Sequence, residues 1–352
     1  MASSILDLAP SAALAQLTGW ANDRGLPGYR AQQFFRRLWQ TPVGRWAEAT
    51  ELPAELRAEL DLAFPLLRLE TAEALVSTDG TKKFLWRLAD GEAIESVLIP
   101  SGSRRTLCLS SQGGCALGCT FCATGRMGYR RDLSPAEIAC QVREIILRDP
   151  TDKPTNVVFM GMGEPLLNWP AVDVALTILN DPGGCGIGAR HITVSTVGIL
   201  PGMALFRARP EQFRLAISLH SADPKRRLAL MPIEKKFRLT SVLDEAKKFG
   251  RRVTFEYVMI QDLNDRDLDA DQLAKLARPL GAHVNLLPLH PGGAPGLVPS
   301  SGNRIRAFAD RLKIRGIAAV VRRSRGLDIK AACGQLYVEL EAKQRRAPAV
   351  GV

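Results

Sequence analysis

Three closely spaced cysteines carry the most specific chemistry in this sequence. Cys115, Cys119 and Cys122 form a C-x3-C-x2-C pattern, which chance would supply only about 0.003 times in a chain of 352 residues with 7 cysteines. Three thiolates so close together can hold one inorganic centre. Four cysteines would close a zinc or iron site, whereas three leave one coordination position open. The spacing therefore indicates a catalytic metal centre; the alternatives are a zinc knuckle without its fourth ligand, or three core cysteines.

The residues around this pattern resemble those of a known superfamily. A C-x3-C-x2-C pattern with Phe121 just before the last cysteine is similar to the radical S-adenosylmethionine (SAM) enzymes. The resemblance implies that the three cysteines hold a 4Fe-4S cluster whose fourth iron binds SAM. It also implies that an electron from the cluster cleaves SAM, and that the resulting 5'-deoxyadenosyl radical takes a hydrogen atom from a substrate.

Three further motifs make the resemblance more specific. They are Thr106–Gln112, Gly161–Leu166 and Gly326–Leu336. Together with the cysteines they resemble the dual-specificity RNA methyltransferases of the RlmN/Cfr family, over residues 29–340. That family forms 2-methyladenosine in 23S ribosomal RNA and in some transfer RNAs, or 8-methyladenosine in its resistance branch. The helical N-terminal segment favours the first branch, and carbon 8 of the same adenine is the alternative.

The target carbon explains why such an enzyme needs further cysteines. Carbon 2 of adenine is electrophilic, so a simple methyl transfer from SAM, which needs a nucleophile, cannot occur there. The resemblance implies that Cys333 takes a methyl group from one SAM and that the radical from a second SAM activates it. It implies that Cys108 then resolves the adduct by attacking Cys333, leaving a disulfide that a thiol reductant reopens. Glu95 matches the family's general base.

The same resemblance supplies a set of SAM contacts. Gly163 would let the backbone approach SAM, and Glu164 would accept from its ammonium group. The other contacts that the resemblance implies are Ser195, Ser218, Leu219, His220 and His290. The last of these departs from the family, which has Asn where this chain has His290 before Pro291. A histidine can still donate or accept a hydrogen bond, so His290 is kept as a candidate.

The chain must place these residues on a common scaffold, and its periodicity predicts one. After Pro100, segments typical of strands alternate with segments typical of helices. The predicted strands lie near 105–110, 156–160, 191–195, 213–219, 253–260 and 283–288. The predicted helices lie near 134–148, 170–180, 201–207, 240–249, 270–279 and 302–314. This alternation predicts an α/β fold, a partial (β/α)6 barrel with its site at the carboxyl ends of the strands. The resemblance implies that this barrel is of the radical SAM type.

The sequence before the barrel has a different pattern. Helices are predicted at 10–20, 29–39 and 53–64, and turns at Asp79-Gly80 and Asp90-Gly91 predict β-hairpins. The expected organisation is a small N-terminal helical domain that contacts RNA, a β-hairpin extension, the barrel with the loop of Cys333, and a disordered tail. The corresponding ranges are 1–65, 66–100, 101–340 and 341–352.

Charge and composition indicate which partners the protein binds and in which compartment it is located. The net charge of +11 favours a polyanion such as RNA. Three basic runs, at residues 126–131, 225–227 and 322–325, are predicted to surround the site and contact phosphates. No basic residue precedes Arg24 and no apolar run has the length of a membrane span, so a cytoplasmic location is expected. The expected partners are 23S ribosomal RNA, transfer RNA, a flavodoxin-like electron donor and a thiol reductant, with the protein a monomer.

Two other functions remain open from sequence alone. One is a different radical SAM reaction on RNA or protein, such as activation of a glycyl-radical enzyme, although Cys108 and Cys333 have no role in that chemistry. The other is a metal-containing RNA-binding protein without enzymatic activity. The remaining cysteines, Cys140 and Cys185, match no motif and are predicted to be core residues.

Overall fold

The structure, a computed structural model, describes residues 4–290, 296–329 and 331. A ten-stranded sheet in the order β1-β2-β3-β4-β7-β8-β9-β10-β11-β12 forms the framework, and β5 pairs with β6 in a separate small sheet. The strands are β1 Glu70–Val76, β2 Lys82–Arg87, β3 Ala93–Ser101, β4 Arg104–Leu109, β5 Gln112–Gly114, β6 Tyr129–Asp132, β7 Asn156–Phe159, β8 Ile192–Thr196, β9 Arg214–Ser218, β10 Val253–Met259, β11 His283–Pro288 and β12 Ala319–Val321.

Three helices precede the sheet, and most of the others lie between its parallel strands. They are α1 Pro10–Asn22, α2 Tyr29–Trp39, α3 Ala54–Ala63, α4 Ala123–Met127, α5 Pro135–Arg148, α6 Trp169–Asn180, α7 Leu200–Ala208, α8 Pro224–Leu230, α9 Leu239–Lys247, α10 Asp267–Ala277 and α11 Gly302–Ile314. Short 3-10 turns lie at Ile5–Asp7, Trp46–Glu48, Pro150–Asp152, Ala189–His191, Pro232–Lys235 and Arg278–Leu280.

The sheet changes character at β4. From β4 to β12 all neighbouring strands are parallel, and β1, β2 and β3 extend this sheet as antiparallel strands. The carboxyl ends of the parallel strands therefore meet at one edge, as the predicted partial barrel requires. All six predicted barrel strands and the three N-terminal helices are confirmed to within about two residues.

Several elements were not predicted. They are the β5–β6 hairpin, the short helices α4 and α8, and β12. α8 has only seven residues, too few to show a helical apolar period, and β12 has three. Each of these short elements is held by its neighbours, as β12 is by pairing with β11.

One apolar core connects the N-terminal helices with the barrel. In α2 the buried side chains are Phe34, Phe35, Leu38 and Trp39, so the apolar face of this helix packs inward. On α5, the buried Arg143 donates to the carbonyl oxygens of Leu38, Val43 and Leu67. No helix in the described part of the chain is long and apolar enough to cross a membrane.

Candidate active site

The loop with the three cysteines follows β5 and is fixed by backbone hydrogen bonds. The N–H of Cys115 donates to the carbonyl of Gly128 (2.9 Å), and that of Cys122 donates to Cys119 (3.1 Å). Gly118 has φ of +64°, a left-handed conformation that lets the chain turn between the first two cysteines. The N–H of Thr120 donates to Leu230 at the end of α8 (3.0 Å). The loop is therefore held from both sides.

The thiols themselves lie below the surface. Cys115 and Cys119 are buried and Cys122 is half-buried. Burial raises the pKa of Cys115 to about 12 and raises that of Cys119 further. The thiols of Cys115 and Cys119 are consequently neutral without a metal, so binding a metal centre must displace protons. No three His, Cys, Asp or Glu side chains among the described residues already converge on a point that could hold a metal ion.

The loop nevertheless fits an iron–sulfur cluster by the chemistry of its donors. Its three soft sulfur atoms lie on one short, anchored segment at the carboxyl edge of the sheet. The carboxylate of Glu164 acts electrostatically on the thiols of Cys115 and Cys119. The assignment of Cys115, Cys119 and Cys122 as ligands remains a prediction. With three ligands from the chain, one position would be open to another molecule.

Gly163 follows β7 and needs to be glycine for a structural reason. Its φ is +96°, and a β-carbon there would lie 2.5 Å from Cβ of Gln112. The Gln112 side chain accepts from the N–H of Glu164 (2.8 Å) and donates to Asp132 (2.7 Å). Packing against Gln112 thus explains this glycine, and the predicted contact of Gly163 with SAM is an additional role that these contacts do not test.

Glu164 is fully buried beside the cysteine loop. Its two carboxylate oxygens accept from the N–H groups of Leu166 (3.1 Å) and Val197 (2.9 Å). Burial outweighs these hydrogen bonds and raises the pKa of Glu164 to about 7. A carboxylate in this state gains strongly from a cationic partner, which is the role predicted for it toward the ammonium group of SAM.

The other predicted SAM contacts occupy different environments. Ser195 and Ser218 lie near the carboxyl ends of β8 and β9. The Leu219 side chain is completely buried, and its N–H already donates to Glu256 (3.0 Å), so little of this residue is left for a ligand. His290 follows β11 and is half-buried, and burial lowers its pKa.

His220 connects the cysteine loop to the sheet. Its backbone adopts φ of +56°, unusual for a residue other than glycine. Its Nδ1 accepts from the N–H of Val258 (3.0 Å), and its ring meets Phe121 edge to face at 4.5 Å. Burial lowers the pKa of His220 to about 3, so the imidazole is neutral and carries its proton on Nε2.

Glu95 and Cys108 lie on the same face of the sheet. The Ser96 hydroxyl donates to Gln141 of α5 (2.7 Å), so Ser96 points toward the helices. Because side chains alternate along a strand, Glu95 and Val97 point to the opposite face. Val97 pairs directly with Cys108 across the antiparallel β3–β4 ladder, which places Cys108 on that face as well. We call it the inner face.

A lysine that the sequence reasoning missed lies beside Glu95. Lys83 pairs with Val97 across β2 and β3, so it also belongs to the inner face. Its side chain is fully buried, and its Nζ lies 3.9 Å from Oε1 of Glu95. A buried carboxylate with a cationic neighbour is favoured in its ionised form. The structure places Glu95 in a buried ion pair, and its role as general base remains a prediction.

The disulfide predicted between Cys108 and Cys333 is not supported. The described residues, Cys108 among them, contain no disulfide. Cys333 lies outside the described residues, as does the tail predicted for 341–352. Cys140 and Cys185 are confirmed as buried core residues.

The three basic runs differ in how much charge they leave for RNA. In the second run, Arg227 is buried against Glu234 and Arg226 is paired with Asp269. These two arginines therefore hold the protein together, and only Lys225 of that run is exposed and without an ion pair in the described part of the chain. In the first run, Arg131 is paired with Asp90 and Glu137.

Comparisons with known proteins define the class first. The sequence profile of the Radical SAM superfamily matches residues 109–274. The crystal structure of a radical SAM methyltransferase from Sphaerobacter thermophilus superposes with a TM-score of 0.87 at 41% identity, covering 94% of this chain and 98% of that one. The fold and the cysteine loop are thus those of a radical SAM enzyme.

Relatives then define the family. A Gemmatimonas aurantiaca protein named "Probable dual-specificity RNA methyltransferase RlmN" is 56% identical over 95% of this chain and 93% of its own length. A "Dual-specificity RNA methyltransferase RlmN" from Anaeromyxobacter dehalogenans is 42% identical over 88% of this chain and 86% of its own length. The chain belongs to the RlmN family of radical SAM RNA methyltransferases.

Proposed function

We propose that this enzyme methylates carbon 2 of an adenine in 23S ribosomal RNA and in transfer RNA. Family membership supports RNA methylation, and the dual-specificity name of the relatives supports two RNA substrates. The observation that carries the choice of chemistry is the placement of Glu95 and Cys108 on one inner face, on neighbouring strands. A base and a second thiol are what the release of a carbon-bound sulfur adduct requires.

The cofactors would be a 4Fe-4S cluster on Cys115, Cys119 and Cys122, and two SAM molecules in each turnover. When bound, they would supply the methyl group and the radical that activates it. Glu164 would hold the ammonium group of SAM, with Gly163, Ser195, Ser218, Leu219, His220 and His290 as further candidate contacts. A one-electron donor of the flavodoxin class and a thiol reductant would restore the enzyme.

Cys333 would carry the methyl group that becomes bonded to the adenine. Glu95 would then remove the proton from carbon 2, and the one electron that the adduct radical gives up would return to the cluster. Attack of the Cys108 thiolate on the Cys333 sulfur would break the carbon–sulfur bond, and the carbon would take up a proton to become the methyl group. The thiol reductant would return both cysteines to thiols in every turnover, so no lasting disulfide is expected.

The segment leading to Cys333 supports this arrangement. The Asp328 carboxylate accepts from the Ser77 hydroxyl (2.5 Å) and from the Thr78 N–H (3.0 Å). The N–H of Gly326 donates to Asp79 (3.0 Å). The turn between β1 and β2 therefore holds this segment, and β2 carries Lys83, the partner of Glu95. Cys333 follows only two residues after Ala331.

The test is mass spectrometry of nucleosides from unmodified 23S ribosomal RNA and transfer RNA. The RNAs are incubated without oxygen with reconstituted enzyme, SAM and reductant, and 2-methyladenosine is expected in both. Cys333→Ala should abolish it, whereas Cys140→Ala, a matched change of a core thiol, should retain it. Formation of 8-methyladenosine would move the enzyme to the other branch. Unchanged product from Cys333→Ala would overturn the methyl-carrier role.

A further inference from the structure

One part of the surface carries cations that have no counter-charge. Lys235, Lys236 and Arg238 are exposed, and none forms an ion pair with a carboxylate in the described part of the chain. We call these three residues the cationic patch. A second lysine pair, Lys247 and Lys248, differs in this respect, because it is neutralised by Asp244 (2.8 Å) and Glu245 (3.0 Å). Unpaired surface cations extend their field into solvent and attract anionic partners.

The segment that leads into the cationic patch contacts the outside of the cysteine loop. The patch follows α8 and includes the end of the 3-10 turn Pro232–Lys235. The last residue of α8, Leu230, accepts the N–H of Thr120 (3.0 Å), and a β-carbon built on Gly118 would lie 4.0 Å from Cγ of Pro232. Gly118, Thr120 and Pro232 are exposed, while Cys119 between the first two is buried. Cys119, a predicted cluster ligand, is thus buried directly beneath this surface.

Buried contacts fix the patch relative to the loop. Arg227 of α8 is fully buried, bonds the Glu234 carboxylate, and donates to the carbonyl of Val197 (2.8 Å). The same carboxylate accepts the N–H of Leu239 (3.0 Å), which follows the patch. The residues on both sides of Lys235, Lys236 and Arg238 are therefore anchored to the core beside Cys119. Such preorganisation lowers the entropy cost of docking.

We propose that the cationic patch is the docking surface for a small acidic protein that donates single electrons, of the flavodoxin class. This inference rests on the proposed cluster at Cys115, Cys119 and Cys122. The docked donor would lose one electron, the cluster behind Gly118 would gain it, and the oxidised donor would then leave. Exposed uncharged residues, Gly118 and Pro232, adjoin each other on this surface, and the cations follow Pro232 in the sequence. Transient interfaces commonly combine an uncharged centre with a polar or charged rim.

RNA is the other anionic partner, and its reactive base must bind at a different place from the cationic patch. The base must reach Glu95 and Cys108, which lie on β3 and β4. The cationic patch follows β9, three strands further along the sheet. A donor at the patch would leave the region around β3 and β4 to the RNA, and both partners could be bound together.

The experiment compares two lysine pairs and two reductants. In Lys235→Glu/Lys236→Glu the patch is reversed, and in Lys247→Glu/Lys248→Glu an equal change is made at the neutralised pair. Cluster reduction is followed by stopped-flow absorbance, with flavodoxin hydroquinone or with dithionite. Donor affinity is measured by calorimetry at low and physiological salt, and affinity for a 23S RNA fragment is measured in parallel.

Reversal of the patch should slow reduction by flavodoxin at least about tenfold and weaken its binding, chiefly at low salt, because charge pairs at a rim act on association. The same variant should keep the wild-type rate of reduction by dithionite and the wild-type affinity for RNA. The Lys247→Glu/Lys248→Glu variant should behave like the wild type in all of these measurements. Equal rates with flavodoxin would overturn the inference, as would a loss of RNA affinity with normal reduction, which would make the patch an RNA contact. Failure of dithionite to reduce the wild-type protein would instead overturn the cluster itself.

Discussion

Lys83 is a charged residue where the sequence pattern predicts a partly exposed strand. Its neighbour Lys82 behaves in the ordinary way, pairing with Asp152 near the surface. Lys83 points to the inner face and is completely buried beside Glu95. Desolvating both charges has a large cost that only their mutual attraction and further hydrogen bonds can offset. Its placement there indicates a role for Lys83 in keeping Glu95 ionised and in position.

Replacing Lys83 by Met should therefore impair both stability and the proton-removal step. The uncompensated Glu95 should cost about 3–5 kcal/mol of unfolding free energy, and it should take up a proton and stop acting as a base. Chemical denaturation measures the loss of stability, and nucleoside analysis measures the loss of methylated product. SAM cleavage should continue. Lys82→Met is the matched control and should cost less than about 1 kcal/mol. If adding Glu95→Gln to Lys83→Met restored no stability, the ion pair would not explain the loss.

Glu164 should make SAM binding depend on pH. Its pKa of about 7 means that it is mostly protonated at pH 6 and mostly ionised at pH 8. Cys115, with a pKa of about 12, and His220, with a pKa of about 3, do not titrate in this range. Only the ionised carboxylate can pair with the ammonium group of SAM. Affinity should thus fall about tenfold from pH 8 to pH 6.

Isothermal titration in buffers of different ionisation enthalpy measures this linkage. At pH 6, binding should release about one proton per SAM, and at pH 8 almost none. Glu164→Gln should bind SAM more weakly, and its affinity should not change with pH. Equal affinities of the wild-type protein at the two pH values would show that Glu164 is not the group that pairs with SAM.

At the scale of elements, a single turn orients the segment that precedes Cys333. Gly326 has φ of +62°, and a β-carbon there would lie 2.5 Å from Cβ of Ala331 and 3.0 Å from Cγ2 of Thr81. The Ala331 N–H closes the turn by donating to Gly326 (2.9 Å). The close packing against the β1–β2 turn therefore depends on glycine at this position.

Gly326→Ala should displace this segment and reduce methylated product by about 10²-fold, because small misplacements of reacting groups cost large factors in rate. SAM cleavage should persist, since the cysteine loop is distant in the sequence and separately anchored. Gly316→Ala is the matched control: its φ is +78°, but a β-carbon there meets nothing within 4 Å. Nucleoside mass spectrometry and 5'-deoxyadenosine release give the two readouts. If both variants lost product equally, backbone strain, and not the clash of the new β-carbon with Ala331 and Thr81, would explain the loss.

For the whole molecule, the regular elements could be predicted from sequence because strand and helix periods are local. The ion-pair partners of the charged residues could not be predicted, because they depend on contacts between distant parts of the chain. Arg226 and Arg227 were interpreted as phosphate contacts, but they pair with Asp269 and Glu234, which lie 43 and 7 residues further along the chain. The environment of Lys83 likewise depends on pairing between β2 and β3. The prediction of Cys115, Cys119 and Cys122 as metal ligands needed no such information, because their spacing within one loop is itself the signal.

The N-terminal helices were predicted to form a separate domain, and their contacts with the barrel give this prediction a test. Arg143 is buried in α5 of the barrel, yet its guanidinium bonds the carbonyl of Leu38 (2.9 Å) and those of Val43 and Leu67. These acceptors lie at the end of α2 and in the segments beyond it. One side chain thus satisfies three backbone groups that would otherwise be buried without partners.

Arg143→Met should therefore destabilise the N-terminal helices and the barrel together, by about 3–5 kcal/mol, because the orphaned carbonyls lose their donors at one shared interface. Hydrogen exchange read separately in α2 and in α5 should show both opening in one cooperative transition at lower denaturant. Arg148→Met, a change of an exposed residue five positions later on the same helix, should cost less than about 1 kcal/mol. Exchange that rises in α2 while α5 stays protected would establish the helices as an independently folding domain.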